Sequence, residues 1–231
     1  MTNTPPQIIE LRQYTLHPGA RETLITLFDS TFIEPQEAAG MHVIGQFRDL
    51  DAPDRFVWMR GFPDMEARRQ SLAAFYGGPV WKAHREAANA TMIDSDNVLL
   101  LRPLRADSGP GPAGPRPPPP SDEAPVDGTL VASIVYLTAP VDADFVKLTG
   151  THLRASLAGV GAPLLAELVS ADAENTFPAL PVREGEHVYV WLSTGAALEV
   201  ATLWPAAAEA RFVRAPEILR LSPTARSLLR P

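Results

Sequence analysis

Tyr76, Trp81, His84, Arg85 and Asn89 fall within one short stretch of chain, FYGGPVWKAHREAANATM, and their side chains are the ones chemistry most often uses. An imidazole titrates near neutrality, so His84 could act as a general acid–base group or as an axial metal ligand. Arg85 could clamp an anion and Asn89 could orient a carbonyl. Gly77-Gly78-Pro79 interrupts the preceding helix and starts a new one, because proline is tolerated in a first turn. From Val80 the helical register places Val80, Trp81, His84, Ala87 and Ala88 on one side, with Lys82, Glu86 and Asn89 opposite. The competing reading is architectural: Trp81 fills the core, His84 meets a backbone carbonyl, Arg85 snorkels and Asn89 ends the helix.

A second constellation is Asn175, Phe177, Arg183, Glu184 and His187, in NTFPALPVREGEH, whose two prolines stiffen the backbone that presents them. Arg183 could hold a carboxylate and Glu184 could serve as acid or base. The alternative is a loop closing one mouth of the fold, with Arg183 in an ordinary ion pair. A third set is Arg12, Tyr14 and Arg60, at strand ends, facing either a cavity or the helices.

The elements that must position these groups follow from periodicity. Ile8–Tyr14 alternates as a strand; residues 20–39 carry Leu24, Leu27, Phe28 and Phe32 at helical spacing, and Gly40 suits the helix end. Residues 41–47 and 55–62 read as a hairpin, Asp64 caps the next helix, and residues 97–104 form a last strand. The order β-α-β-β-α-β is the split ferredoxin-like unit. Residues 105–126 then turn proline- and glycine-rich and predict an extended spacer. The second half repeats the first: strands at 130–137, 164–169, 187–193 and 216–223, a helix from Asp142 to Gly159–Gly161, and a helix over 196–210 kinked at Pro205. Val190-Trp191-Leu192 echoes Val57-Trp58-Met59. The fold class is α+β: a unit at 7–104, a linker at 105–126 and a unit at 127–226. Each unit leaves one sheet face uncovered, so the two sheets pack face to face as an α/β barrel, within one chain or between chains, with a small-molecule cavity in its interior.

Composition narrows the functions. A net charge of -7 and a pI near 5.2 argue against nucleic-acid and anionic-membrane partners. With no cysteine, thiolate chemistry, disulfides and zinc ribbons are excluded. The start MTNTPPQ has neither a basic nor an apolar leader region, and no apolar run reaches about 18–20 residues, so a cytoplasmic location is expected. Phosphate-cradling glycine motifs, paired-histidine metal motifs and a nucleophile elbow are absent, and the five histidines are scattered. No metal is expected.

GMHVIGQF (40–47), RFVWMRGF, PVWKAHREAANATM and NTFPALPVREGE together resemble the NIPSNAP family of the dimeric α/β-barrel superfamily, over residues 8 to 226. The resemblance implies the barrel and a homo-oligomer. NIPSNAP proteins are mostly described as adaptors, and animal members sit in mitochondria, for which this chain lacks a transit peptide. Related barrel families include cofactor-free monooxygenases and haem-handling enzymes, and fold does not choose among them. A haem variant would use His84 or His152 as axial ligand; otherwise no cofactor is expected. The expected function is an enzyme that binds a small apolar or aromatic molecule and applies acid–base or oxygen chemistry. His84 and Glu184 would be catalytic, and Tyr76, Trp81, Arg85, Asn89, Asn175, Phe177 and Arg183 would bind. The alternative is a non-catalytic ligand-binding or protein-interaction module.

Overall fold

The structure, a computed structural model, describes residues 5–111, 114–118, 128–195 and 204–231. Eight antiparallel strands close into a barrel inside one chain. In the first unit these are β1 (Ile8–Leu16), β2 (His42–Asp49), β3 (Arg55–Phe62) and β4 (Met92–Pro103). The second unit supplies β5 (Leu130–Leu137), β6 (Leu164–Ser170), β7 (His187–Thr194) and β8 (Glu217–Pro223). Their order around the barrel is β1-β3-β2-β8-β5-β7-β6-β4. Each unit is thus a ferredoxin-like sheet, and the seams are β2 with β8 and β4 with β6. Closure needs no second chain.

The barrel interior was expected to hold the ligand cavity, and it is instead filled. Ile9, Leu11, Val57, Met59, Leu99 and Leu101 from the first unit meet Leu130, Ile134, Val190, Leu192, Leu219 and Leu221 from the second, all buried. Alternation puts every second side chain inward, and in this sequence those positions are almost all branched aliphatics that interdigitate. Gly45 keeps its place because a Cβ there would sit 2.4 Å from Phe47 Cζ.

The opposite strand faces carry the helices. In the first unit these are α1 (Arg21–Leu27), a π-helical turn (Phe28–Phe32), α2 (Ile33–Ala38), α3 (Met65–Gly77) and α4 (Pro79–Asn89). The single helix expected over 20–39 is therefore interrupted, at a turn three residues ahead of Pro35, whose ring cannot continue regular α-helical hydrogen bonding. Gly40 follows with φ +96°, the left-handed conformation expected of a helix-ending glycine. Asp64 caps α3 by accepting from the Ala67 backbone at 2.7 Å, and Asp142 caps α5 (Ala143–Gly159) through Phe145 at 2.8 Å. Strand β4 starts at Met92, earlier than periodicity suggested, because its polar beginning pairs with the end of β1, Asp94 opposite Thr15 and Met92 opposite Leu16. Most of the helix expected over 196–210 lies outside the described residues; after Pro205 a short α6 (Ala206–Glu209) remains.

Where it is described, the proline-rich stretch is docked and does not act as a free spacer. Ser108 accepts the Arg105 backbone and donates to Glu167 O, while Arg116 bonds Glu37, Val43 O and Arg226 O. A guanidinium with several carbonyl and carboxylate acceptors holds an extended segment without a core of its own. No helix among the described residues is long and apolar enough to cross a membrane.

Candidate functional site

The polar face of β1 turns toward the helices, which decides the orientation that the sequence left open for Arg12 and Tyr14. Glu10, Arg12 and Arg60 lie on this face with Trp58, and Arg68 reaches down from α3; all five are buried. Glu10 Oε2 accepts from Arg12 and from Arg60, each at 2.7 Å, and its Oε1 accepts from Arg68 at 2.7 Å. Three guanidinium groups therefore surround one carboxylate, a surplus of two positive charges. Burial alone would raise the Glu10 carboxyl, yet Arg60, Arg12 and Arg68 outweigh it and hold it far below the usual carboxylate range. Burial pushes Arg68 down, against the pull of Glu10. The Trp58 ring spreads the remaining charge, with Arg60 4.9 Å and Arg12 5.5 Å from its centroid.

Above this cluster stands an aromatic wall. Tyr76 packs edge-on against Trp81 at 4.9 Å and Phe75 at 5.0 Å, and Trp81 continues to Phe32 at 5.7 Å. Tyr76, Trp81 and His84 are half-buried, whereas Phe32 and Phe75 are buried, so the wall opens outward along α4. Arg60 connects wall to cluster by donating to Tyr76 Oη at 3.4 Å and to Gln36 Oε1 at 3.2 Å.

The loop between β6 and β7 belongs to the second unit and closes over the first. Thr176 donates to Met65 O at 3.1 Å, Arg68 donates to Asn175 Oδ1 at 3.0 Å, and Phe177 stacks on Tyr76 at 6.2 Å with an interplanar angle of 29°. Asn175 fixes its own turn by accepting from Phe177 N at 3.1 Å and donating to Leu180 O at 2.9 Å. The loop thus caps the aromatic wall of the first unit.

Tyr76, Trp81, Asn175 and Phe177, expected in separate constellations, are brought together here. His84 lies at the outer end, its ring edge-on to Phe32 at 6.3 Å, with no hydrogen bond to another described residue. Arg85 and Asn89 are exposed on the far side of α4, and Ala87, assigned to the inner face, is exposed too, because only Ala88 reaches the core. Glu184 is exposed and accepts from Asn175 N at 3.3 Å. Arg183 turns the other way, donating to Tyr136 Oη at 2.9 Å and pairing with Glu186. With Glu184, Arg102, Asp172 and His187 it lines a separate open groove of about 470 Å³ on the loop's other flank. Arg68 and Glu10 were not anticipated; the signal for Glu10 was an acid and a base alternating with Ile9 and Leu11 along one strand.

His152, the other candidate axial ligand, is exposed on α5. On its inner side the His84 ring meets buried Phe32, which packs edge-on against buried Phe75, so a porphyrin inserted there would have to displace the aromatic core and these residues do not fit haem. No cluster of three or more metal-ligating side chains occurs among the described residues.

Comparison with known proteins agrees with the fold. The NIPSNAP family model matches residues 9–106. The match takes in β1 through β4, hence Glu10, Arg12, Arg60 and Arg68, and excludes the capping loop. Among solved structures, a candidate monooxygenase from Lactobacillus acidophilus aligns over 96% of this chain and 97% of its own, at 12% identity and a TM-score of 0.54. Another from Fusobacterium nucleatum aligns over 95% and 93%, at 7% identity and a TM-score of 0.54. A NIPSNAP-like domain protein from Burkholderia xenovorans covers 46% of this chain and 91% of its own, at 23% identity and a TM-score of 0.41. At these identities the full-length likenesses establish the fold alone, the two-unit α/β barrel. No curated protein matches the chain.

Proposed function

We propose that this NIPSNAP-type barrel binds a small apolar or aromatic molecule between the helices and the sheet of its first unit, under the cap supplied by the second. One observation carries the reading: Phe177 and Asn175 cross from one unit to complete a half-open aromatic wall in the other. Half-buried Tyr76, Trp81 and Phe177 offer stacking faces at the rim, and ligand pockets typically combine such faces with a few placed polar groups. The barrel interior is filled, and the outer groove is lined by many charged and polar groups, so an apolar or aromatic molecule is better matched by this wall.

Conversion of the bound molecule by acid–base or oxygen chemistry would fall to His84, with Glu184 at the cap as the second titratable group. The free imidazole of His84 lacks the orienting partner that a general base usually has, and this favours binding without catalysis as the second reading. Calorimetric titration with naphthol tests the site. The expected result is saturable binding, lost in Trp81→Ala and Phe177→Ala and retained in the groove variant Arg102→Ala. Binding lost in Arg102→Ala and kept in Phe177→Ala would move the site to the groove. Any turnover found should vanish in His84→Ala with little change in melting temperature; turnover that survives would remove His84 from the chemistry.

A further inference from the structure

We infer that the molecule taken up at this site carries a carboxylate, received by the Nη2 groups of Arg60 and Arg68. The inference rests on the binding reading above and names its ligand class.

Three observations converge. The cluster holds three arginines against Glu10 alone, so its surplus of positive charge calls for an anion. Nη2 of Arg60 and Nη2 of Arg68 are buried and have no hydrogen-bond partner among the described residues, and Trp58 Nε1 beside them has none either. These two arginines bond opposite oxygens of the same Glu10 carboxylate, so two guanidinium groups with a free donor each flank one site, and guanidinium is the group that best receives a carboxylate.

The twin unit shows that the sheet does not require charge at these particular positions. Arg12 pairs with Trp58 and Glu10 with Arg60 across β1 and β3; Ser133 pairs with Trp191 and Val131 with Ser193 across β5 and β7. Setting Trp191 on Trp58 places Val131, Ser133 and Ser193 where the first unit has Glu10, Arg12 and Arg60. One half of the barrel builds the same sheet with small or apolar residues at these positions. The charged set at these three positions is confined to the first unit; the second buries a different carboxylate, Glu167, with Arg105, Arg154 and Tyr189. The cluster is joined to the wall and the cap, because Nη1 of Arg60 reaches Tyr76 Oη and Nη1 of Arg68 reaches Asn175.

Calorimetry with phenylacetate and its neutral isostere phenylacetamide separates the two claims. The expected result is at least tenfold tighter binding of phenylacetate, with that preference falling below about threefold in Arg68→Gln. Equal binding of the two probes would overturn the carboxylate while leaving the aromatic site standing, and absence of binding by either would overturn both. Should Arg68→Gln fail to fold, the wild-type arginine side-chain NMR resonances decide. Phenylacetate should shift the buried arginine signals and phenylacetamide should not; shifts confined to exposed arginines would refute the inference.

Discussion

Replacing Glu10 by Gln removes one negative charge from a group that accepts from three arginines at 2.7 Å each, with all four side chains essentially excluded from solvent. Glutamine keeps the shape and one acceptor oxygen, and it turns a surplus of two buried positive charges into three. Breaking a buried ion pair from one side costs about 3–5 kcal/mol, since the partner is left desolvated and unpaired. A charge-assisted hydrogen bond contributes about 1.5–3 kcal/mol, so three partners place Glu10→Gln at or above that range. For a chain of this size the melting temperature should fall by roughly 6–20 °C. Urea unfolding followed by far-UV circular dichroism at pH 7 reads the change in midpoint, with the exposed Glu66→Gln as a control expected to show no measurable effect. The pH dependence gives a second arm. The folded Glu10 pKa lies below its unfolded value, so its stabilisation is complete above the unfolded pKa and declines as pH falls through the folded one. Wild type and variant should therefore converge on acidification. A loss below about 1 kcal/mol at pH 7, or a gap that stays constant into acid, would refute the electrostatic account of the cluster.

Burial pushes the Asp29 carboxyl up to about 6, against Thr224 and Arg226, so the native state loses stability as pH rises from the unfolded pKa to about 6. Asp29→Asn should flatten that slope and gain about 3 kcal/mol relative to wild type between pH 4 and 7; an unchanged slope in pH-dependent melting would contradict it. Gly45→Ala directs a Cβ at Phe47 and at Ser227 Oγ, 2.9 Å away, and should cost about 1–3 kcal/mol in urea unfolding if the barrel interior is packed. A neutral result would mean that the interior has room to give. Asn175→Ala removes the Oδ1 acceptor used by Arg68 and by Phe177 N and should loosen the cap, read as faster amide exchange at Phe177 and Leu180 with the barrel strands unchanged.

Much of the architecture was legible because it rests on local rules. Asp64 and Asp142 are helix caps, Gly40 is a left-handed stop, and Arg55–Phe62 is a strand; each follows from residue type and spacing alone. The repeat of Val57-Trp58-Met59 as Val190-Trp191-Leu192 led to two units and hence to the barrel. The site was legible only in part. Alternation along β1 separates Glu10, Arg12 and Tyr14 from Ile9, Leu11 and Gln13, and such a pattern ordinarily marks a solvated face. Here helices cover that face, and burial of the charges depends on Arg68 from α3, distant in sequence. The cap depends on a loop from the other unit reaching across the barrel, which no periodicity encodes. The aromatic residues were recognisable one by one; their convergence belongs to the tertiary fold.

The most direct test of the account is a crystal structure of the protein grown with phenylacetate. The account predicts the ring against Tyr76 and Phe177 and the carboxylate within hydrogen-bond distance of Nη2 of Arg60 and Arg68. Phenylacetate bound in the outer groove beside Arg102 and Arg183, with both Nη2 atoms untouched, would contradict it.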